Sequence, residues 1–409
     1  MRYVIVGNGI AGISAAEAIR ELDREGQVIM VSEEDTLPYS RPMISHVLEG
    51  SQPQEKLSIR SPDFYQAMAI TPVLGQRVRS LDADQRTITL ADGRVIPFDR
   101  LLIASGAAPR TLDVPGMDLG NIFYMRTRDH ADQQIRALKG SRKALVLGGG
   151  LVGFKAACAL LKRGLCVTQL ITSGYPLAMQ VDETAGRMIL GTLVGHGFEV
   201  MVGVNVTGFQ GKNTVETALL DNGKRLDCDL VIIGKGVNPE LDYLPPGRIR
   251  TRTGVLVDEA LQSSEPGIYA AGDAAETLDI ARQQTWVNAI WPEAAAQGRI
   301  AGFNMAGRRV TYPGSLGRNV MRVFDLDLMT LGYANPGEDT SVSVLQSGGA
   351  GYGYYRNLVF RDDRLVGAVL VNSIEQGGVL RALIENRARI TIPRHHLMSP
   401  KFNFSSLLP

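Results

Sequence analysis

The chain has 409 residues, of which 44% are hydrophobic and 21% charged, and its formal net charge is +1. This length predicts two or three domains, and the composition is that of a soluble globular protein. A nearly neutral chain has no general attraction to nucleic acid or to an anionic membrane, and no apolar run is long enough to span a bilayer. A strand that begins at Arg2 leaves no room for a cleavable signal peptide, and the three cysteines include no C-x-x-C pair. We therefore expect a cytoplasmic protein that binds neither nucleic acid nor membrane.

The first predicted unit is a strand, a glycine-rich loop and a helix. The apolar residues 3–6 lead into Gly7-Asn8-Gly9-Ile10-Ala11-Gly12, a helix is expected over about 10–22, and a strand over 27–32. In this pattern the first glycine allows the tight turn, the second lets a pyrophosphate approach the backbone, and the third lets helix and strand pack closely. The helix N-terminus offers unpaired N–H groups to the phosphates. Glu33, at the end of the second strand, stands where an acid is expected to bind the adenosine ribose.

The same pattern recurs in the middle of the chain. A strand over 144–147 leads into Gly148-Gly149-Gly150-Leu151-Val152-Gly153, a helix follows, and the next strand ends at Leu170-Ile171-Thr172-Ser173. That strand end lacks the acid that favours NAD, but no arginine follows it to bind a 2′-phosphate. Because missing positive charge disfavours NADP more than a missing acid disfavours NAD, we expect NAD. Two such loops predict two dinucleotides in one molecule, and the economical reason to hold two is electron transfer between them.

The remaining segments alternate between strands and helices. Strands are expected over 76–82, 87–90 and 101–104, then short strands over 199–220 and a buried strand over 230–234. A strand over 267–271 stops at Gly272-Asp273, and a long helix starts after Pro292. From about residue 312 the pattern changes to aromatic-rich strands and one helix over 378–387.

Taken in order, these segments resemble the FAD-dependent pyridine nucleotide oxidoreductases, in the branch of rubredoxin, ferredoxin and nitrite reductases. Besides the two loops and Glu33, the matching segments are Tyr39-Ser40-Arg41-Pro42, Leu102-Ile103-Ala104-Ser105-Gly106-Ala107, Gly236-Val237-Asn238-Pro239 and Ala270-Ala271-Gly272-Asp273. The resemblance implies an α/β, glutathione-reductase-like fold with two Rossmann-like domains and a C-terminal α+β domain. The FAD domain (1–113 and 248–311) would be split by the NAD domain (114–247), and 312–409 would form a C-terminal interface domain.

The resemblance also implies which residues bind the cofactors. Asp273 would bind the FAD ribitol, Arg41 and Pro42 would line the flavin, and the dipole of the helix after Pro292 would stabilise the reduced ring. Trp291 would either cover the flavin edge or fill the domain junction. The full expected set is Gly7, Gly9, Ala11, Gly12, Glu33, Arg41, Pro42, Ala104, Ser105, Gly106, Arg110, Gly148, Gly150, Leu151, Val152, Gly153, Gly236, Gly272, Asp273 and Trp291.

Two departures from the family pattern bear on the chemistry. Disulfide reductases of the superfamily place a reactive cysteine in the stretch that is 41–48 here, and this stretch has no thiol. Because thiolate chemistry needs a thiolate, electrons are expected to leave the flavin directly for an outside acceptor. The family often pairs a lysine near the flavin with a glutamate on the NAD helix, whereas this sequence has His46 and Lys155 at those positions. Either the two residues tune the flavin and orient nicotinamide, or Lys155 is a surface helix residue and His46 a hydrogen-bonded spacer.

These observations predict an FAD enzyme that exchanges hydride with NAD(H) and electrons with an iron–sulfur partner. The segments 148–157 and 286–307 further resemble FAD subunits of multi-subunit aldehyde and 2-oxoacid (phenylglyoxylate-type) oxidoreductases, which implies a hetero-oligomeric complex. A stand-alone NADH:rubredoxin or ferredoxin reductase is the first alternative, and an NADH-sensing flavoprotein interaction module is an alternative of another class. Arginine-rich stretches could be solvated faces or a basic docking surface; they contain Arg299, Arg308, Arg309, Arg318, Arg322, Arg387, Arg389, Arg394 and Lys401.

Overall fold

The computed structural model describes residues 1–399, 402, 403 and 405. The chain divides into two compact units, and both are discontinuous. Unit 1 consists of residues 1–42, 54–108 and 237–316. Unit 2 consists of 43–53, 109–236 and the described residues of 317–409. The domain boundaries expected from the sequence stay a prediction.

The elements of the first quarter of the chain begin with the predicted strand–loop–helix unit. The helix occupies the predicted residues, while the second strand ends at Val31, so that Glu33 lies just beyond it. The elements are β1 (Arg2–Val6), α1 (Ile10–Leu22), β2 (Gln27–Val31), α2 (Ile44–Glu49), α3 (Phe64–Ala67), β3 (Ile70–Val73), β4 (Val78–Asp82), β5 (Thr87–Leu90), β6 (Val95–Pro97), β7 (Arg100–Ile103) and β8 (Ala107–Pro109).

The middle of the chain contains the second strand–loop–helix unit, after one further strand and helix. The elements are β9 (Ile122–Tyr124), α4 (Arg128–Ala137), β10 (Lys143–Leu147), α5 (Leu151–Lys162), β11 (Cys166–Ile171), α6 (Glu183–Gly195), β12 (Glu199–Val202), β13 (Val206–Gln210), β14 (Thr217–Leu220), β15 (Arg225–Asp227), β16 (Leu230–Ile233) and β17 (Val237–Pro239).

The last part of the chain contains one long helix and an antiparallel set of strands. The long helix begins at Trp291, one residue before Pro292, so Trp291 is its first residue. The elements are β18 (Val255–Leu256), β19 (Ile268–Ala270), β20 (Ala275–Asp279), β21 (Gln284–Trp286), α7 (Trp291–Met305), β22 (Arg318–Val323), β23 (Leu326–Gly332), β24 (Ser343–Gly349), β25 (Tyr354–Arg361), β26 (Arg364–Val371) and α8 (Gly377–Glu385).

Each unit is built on a five-stranded parallel sheet of the same design. In unit 1 the strand order is β19-β7-β1-β2-β3, and in unit 2 it is β12-β11-β10-β16-β9. The central strands β1 and β10 are continuous apolar runs because both faces of each parallel sheet are covered, one by helices and the other by antiparallel strands. A three-stranded antiparallel sheet accompanies each, β4-β5-β6 in unit 1 and β13-β14-β15 in unit 2. The predicted α/β class with two Rossmann-like halves is confirmed.

Unit 2 also contains the C-terminal sheet, an antiparallel array of order β22-β23-β26-β25-β24. Asp182, the N-cap of α6, accepts hydrogen bonds from Tyr355 (2.7 Å) and from Asn357 on β25. Arg356 on the same strand is fully buried and donates to the backbone carbonyls of Met398 and Ser399. The C-terminal α+β part expected from the sequence is therefore present.

In unit 1, α7 packs directly on α1 because small residues face each other. A Cβ placed on Gly298 would lie 2.1 Å from the carbonyl oxygen of Ala11, and one on Gly302 would lie 2.4 Å from that of Ala15. Side chains at these two glycines would push the helices apart. The position of α1, and of the loop at its N-terminus, therefore depends on this contact.

We expect Gly302→Ala to lower the stability of unit 1, because overpacking against a backbone carbonyl costs about 1–3 kcal/mol. The measurement is the thermal unfolding midpoint followed by circular dichroism. Gly191→Ala on α6 is the matched control, since a Cβ at this position lies within 4 Å of no described atom outside the adjoining helix backbone. If the midpoint of Gly302→Ala is equal to or higher than that of the wild-type protein, the proposed packing contact is contradicted.

Candidate dinucleotide-binding sites

The loop after β1 has the geometry that the glycine pattern predicts. Gly7 has φ +118°, and a Cβ on it would lie 2.0 Å from the carbonyl oxygen of Ala104. A Cβ on Gly12 would lie 2.0 Å from the carbonyl oxygen of Gly7. These two positions hold the loop against strand β7 and hold α1 against the loop, and only glycine fits them.

The loop after β10 repeats this geometry in unit 2. Gly148 has φ +119°, and a Cβ on it would lie 2.3 Å from the carbonyl oxygen of Gly234. A Cβ on Gly153 would lie 2.3 Å from the carbonyl oxygen of Gly148. Gln169, almost fully buried on β11, donates to the same Gly148 carbonyl at 2.9 Å.

The middle glycine of each loop faces open space. Apart from the adjoining residues, no atom in the described part of the chain lies within 4 Å of a Cβ at Gly9 or at Gly150. Both glycines are helix N-caps without a capping side chain, so the first backbone N–H groups of α1 and α5 have no side-chain acceptor. A glycine backbone beside uncapped N–H groups and a positive dipole end fits the pyrophosphate of a dinucleotide. Each unit therefore has one cradle that fits such a group.

The rim of the unit 1 cradle has an exposed acid where the sequence places it. Glu33 follows β2 and has a side chain that is 62% exposed, 3.5 Å from Arg77. Arg77 also pairs with Glu240. Ser105 donates from its hydroxyl to the carbonyl oxygen of Glu240 at 2.7 Å. Glu33 is thus free to accept hydrogen bonds from a ribose on its solvent side, while Arg77 is a rim residue that the sequence pattern does not single out.

Arg41 is held by a charge pair that was not predicted. Its guanidinium donates to the Glu34 carboxylate and, at 3.0 Å, to the Tyr39 hydroxyl. Burial opposes the charged form, but Tyr39, Glu34 and Asp273 outweigh it and raise the pKa of Arg41. Arg41 and Asp273 therefore lie close enough within unit 1 for their charges to interact. The sequence contains both acids, but it shows no spacing signal that connects Glu34 with Arg41.

The start of α7 is tied to the segment that contains Asp273. The Gly272 backbone N–H donates to Gln297 at 2.8 Å, and Gln297 donates to the Tyr312 hydroxyl at 3.2 Å. That hydroxyl donates to Glu293, which is buried in the first turn of α7. Sequence reasoning missed this chain of bonds. Its effect is to fix Asp273 relative to the N-terminus of α7.

In unit 2, Lys155 lies on α5, one turn after the loop. Its side chain is partly buried, and burial lowers its pKa. No carboxylate pairs with its ammonium group in the part of the chain that the structure describes. A desolvated lysine without an ion pair is a candidate for interaction with an anionic or electron-rich ligand.

The other predicted catalytic residue, His46, lies on α2 and contacts neighbouring polar groups. Its Nδ1 is 3.7 Å from Glu49 and 3.4 Å from the Ser51 hydroxyl. Helix α2 packs on α5, where Arg163 donates to the carbonyl oxygen of Leu48 at 2.8 Å. Among the described residues, Lys155 and His46 are not joined by a hydrogen bond. The roles of both stay a prediction.

Arg110 and Gly236 lie side by side in unit 2. The Arg110 backbone N–H donates to the carbonyl oxygen of Gly236 at 3.0 Å. Gly236 has φ +96°, and a Cβ on it would lie 3.7 Å from the Arg110 side chain. The structure thus brings these two predicted residues together.

The cysteines do not form a redox site. Burial raises the pKa of Cys158 and of Cys228 to about 12, so both thiols stay protonated near neutral pH. Cys166 is exposed at the start of β11, and all three are free. Residues 41–49 form a 3₁₀ turn and α2 with no thiol.

The arginine-rich stretches are less positive than the sequence indicates, because several of these arginines pair with acids. In unit 1, Arg299 pairs with Glu21 at 2.8 Å. In unit 2, Arg322 pairs with Asp327 at 2.7 Å, and Arg389 lies 3.5 Å from Asp363. Lys401 lies outside the described residues. None of the helices in the described part of the chain has the length and apolar character that crossing a membrane requires.

Comparison with known proteins agrees with this geometry. The family model described as pyridine nucleotide-disulphide oxidoreductase matches residues 1–298, and that of the rubredoxin NAD+ reductase C-terminal domain matches 318–388. The chain is 32% identical over 397 residues to the NADH-dependent phenylglyoxylate dehydrogenase subunit epsilon of Aromatoleum evansii, covering 95% of this chain and 93% of the relative. It is 30% identical over 394 residues to the ferredoxin reductase component of chlorobenzene dioxygenase from Cupriavidus sp. (strain PS12), covering 94% and 93%. The solved putidaredoxin reductase in its covalent complex with putidaredoxin has a TM-score of 0.87 and 26% identity, with 95% and 94% covered.

We expect Gly150→Ala to leave the fold intact but to weaken nucleotide binding in unit 2. A methyl group at this position would contact no described residue beyond its neighbours in the chain, yet the second glycine of the pattern is where a pyrophosphate would approach the backbone. The measurement is the dissociation constant of NADH, together with the thermal midpoint and the content of bound flavin. Gly195→Ala on α6 is the control, since a Cβ there is also free of contacts. An unchanged dissociation constant for Gly150→Ala would contradict the assignment of the cradle.

Proposed function

The chain belongs to the pyridine nucleotide-disulphide oxidoreductase family and is an FAD-dependent NAD(P)H oxidoreductase that binds FAD and NAD(H), and from this premise we propose that it transfers electrons between NAD(H) and an iron–sulfur partner. We further propose that it does so as the NAD-reducing subunit of a multi-subunit aldehyde or 2-oxoacid oxidoreductase. The role in a multi-subunit complex is supported by the similarity to the phenylglyoxylate dehydrogenase subunit epsilon over nearly the full length of both chains.

The residues of the two units support binding of FAD by unit 1 and of NAD(H) by unit 2. In unit 1 the loop around Gly9 would bind the FAD pyrophosphate, Glu33 the adenosine ribose, and Asp273 the ribitol. In unit 2 the loop around Gly150 would bind NAD(H). Bound FAD supplies hydride exchange with nicotinamide and single-electron exchange with an iron–sulfur centre.

The absence of a thiol from helix α2 supports transfer of electrons directly between the flavin and an outside partner. In disulfide reductases of the superfamily a reactive cysteine would accept electrons from the flavin, whereas here the partly buried Cys158 and the buried Cys228 have thiols that stay protonated. A disulfide relay has no nucleophile in residues 41–49. An outside acceptor or donor must therefore exchange electrons with the cofactor.

A stand-alone ferredoxin or rubredoxin reductase is the second candidate. The ferredoxin reductase component of chlorobenzene dioxygenase is almost as similar to this chain, and the C-terminal match is to the rubredoxin NAD+ reductase domain. The two candidates share the same chemistry in this chain. They differ in whether the partner is a stable subunit or a soluble carrier.

The test begins with anaerobic absorbance titration of the flavoprotein with NADH, followed by isolation of the tagged chain from its native cells. Stoichiometric co-purification with iron–sulfur subunits, and NAD⁺ reduction that depends on an aldehyde or 2-oxoacid, would support the complex. A lone chain that rapidly reduces a small ferredoxin or rubredoxin would support the second candidate. Fast bleaching by NADH without reoxidation by any iron–sulfur protein would indicate an NADH-sensing module, and no bleaching would overturn all three.

We also propose that Lys155 contributes positive charge to the hydride step. Its ammonium group is desolvated and has no ion pair among the described residues, so its field is weakly screened. We expect Lys155→Glu to slow flavin reduction by NADH at least tenfold, which corresponds to about 1.4 kcal/mol of barrier, without loss of FAD. The measurement is anaerobic stopped-flow absorbance, with the exposed Lys212→Glu as the charge-reversal control. Unchanged reduction kinetics would remove Lys155 from the mechanism.

A further inference from the structure

A lysine that the sequence pattern does not single out lies at the carboxyl edge of the unit 2 sheet, in a small polar cluster. Lys235 follows β16, and its Nζ donates to the Asn205 side-chain oxygen at 3.0 Å. The same oxygen accepts a hydrogen bond from the hydroxyl of Thr172, which follows β11, at 2.8 Å. This cluster of Thr172, Asn205 and Lys235 lies at the end of the sheet where the Gly148 loop begins.

The register of the two sheets shows which residues of unit 1 occupy the same places. The backbone N–H of Gly7 donates to Val31, and that of Gly148 donates to Leu170, so Thr172 takes the place of Glu33. By the same correspondence, Asn205 precedes β13 as Arg77 precedes β4.

The glycine contacts show which residue of unit 1 corresponds to Lys235, the third member of the cluster. A Cβ on Gly7 would meet the carbonyl of Ala104, and one on Gly148 would meet that of Gly234. Lys235 therefore takes the place of Ser105. In unit 2 the acid expected to bind a ribose is replaced by a hydroxyl, and a cation stands beside it.

The groups around Lys235 leave its ammonium group able to bind an anion. Burial lowers the pKa of Lys235, and the nearby carboxylate of Asp221 partly opposes this shift. Asp221 is exposed and accepts from the Asn205 backbone N–H at 3.1 Å. The side-chain oxygen that holds Lys235 is a neutral amide, which leaves ammonium protons for a further acceptor.

Arg163, an arginine that precedes β11 in the sequence, is not available for this role. Arg163 donates to the backbone carbonyls of Leu48 and Val47, at 2.8 and 3.4 Å, and thereby caps α2. Its guanidinium is used within the fold. Lys235, by contrast, lies beside the end of β11, where it shares the Asn205 side-chain oxygen with Thr172.

We propose that Lys235, positioned by Asn205 and Thr172, binds the adenosine 2′-phosphate, so that the unit 2 site accepts NADPH as well as NADH. The ribose acid that would repel a 2′-phosphate is absent, and an ammonium group can form a charge-assisted hydrogen bond with it. The inference rests on the proposed function only in placing the nicotinamide nucleotide on the Gly148 loop.

The first test is equilibrium binding of two nucleotide fragments to the FAD-loaded protein by calorimetry, 2′,5′-ADP and 5′-AMP. We expect 2′,5′-ADP to bind about ten- to hundredfold more tightly, the range of a hydrogen bond to a charged group. Lys235→Met should abolish this preference, while Lys235→Arg should keep most of it. Lys224→Met, which removes an exposed charge from the neighbouring hairpin, is the matched control and should keep it fully.

A second variant keeps the proposal testable if Lys235→Met does not fold. Thr172→Glu places an acid after β11, as Glu33 follows β2 in unit 1. Its carboxylate should repel the 2′-phosphate and weaken 2′,5′-ADP binding at least tenfold. Equal binding of the two fragments to the wild-type protein would overturn the proposal, as would an unchanged preference in Lys235→Met or in Thr172→Glu.

Flavin reduction separates this proposal from the proposed function. The ratio of the anaerobic reduction rates with NADPH and NADH should fall at least tenfold in Lys235→Met. If the wild-type flavin is reduced by NADH and the fragments bind equally, the Lys235 proposal alone fails. If 2′,5′-ADP binds preferentially but neither nucleotide reduces the flavin, the proposed function fails and the Lys235 site stands.

Discussion

Both cradles depend on a backbone contact that a single methyl group would abolish. In each unit the first glycine of the loop lies so close to a neighbouring strand that the carbonyl oxygen of Ala104 or of Gly234 takes the space of a Cβ. This contact lets the loop turn tightly at the sheet edge, which in turn aims the first N–H groups of the following helix at one point. In unit 1 a second close contact, between α1 and the glycines of α7, holds that helix from behind.

The shared scaffold explains binding of dinucleotides but not the differences between the two sites. Those differences lie in side chains at the ends of the strands. Unit 1 has Glu33 after its second strand, whereas unit 2 has Thr172 at the matching place and Lys235 nearby. The loops thus bind the phosphates common to all dinucleotides, while a few rim residues discriminate between them.

Local patterns in the sequence were sufficient to predict the two strand–loop–helix units, while the arrangement of the domains was implied by the resemblance to the family. Apolar runs that end in glycine-rich turns predict strand, loop and helix from neighbouring residues alone, and the helix over 10–22 is confirmed. The rim residues could not be predicted in this way. Asn205 and Lys235 are 30 residues apart in the chain and meet at the edge of the sheet where β11 and β16, which both pair with β10, end. The absence of an arginine after β11 in the sequence indicated NAD. Only the three-dimensional structure shows that Lys235, which follows β16, lies near the end of β11.

Lys155 and Lys235 share a physical property that connects folding with binding. Burial lowers the pKa of both, which means that folding disfavours their protonated forms. Below the folded-state pKa each lysine lowers the free energy of unfolding by a constant amount. This cost is relieved only as the pH rises through the folded-state pKa towards the unfolded one. A bound anion has the opposite effect, since it favours the protonated form and raises the pKa. Desolvated lysines on one nucleotide-binding unit therefore gain most from a negatively charged ligand, and part of the free energy lost in folding is recovered on binding.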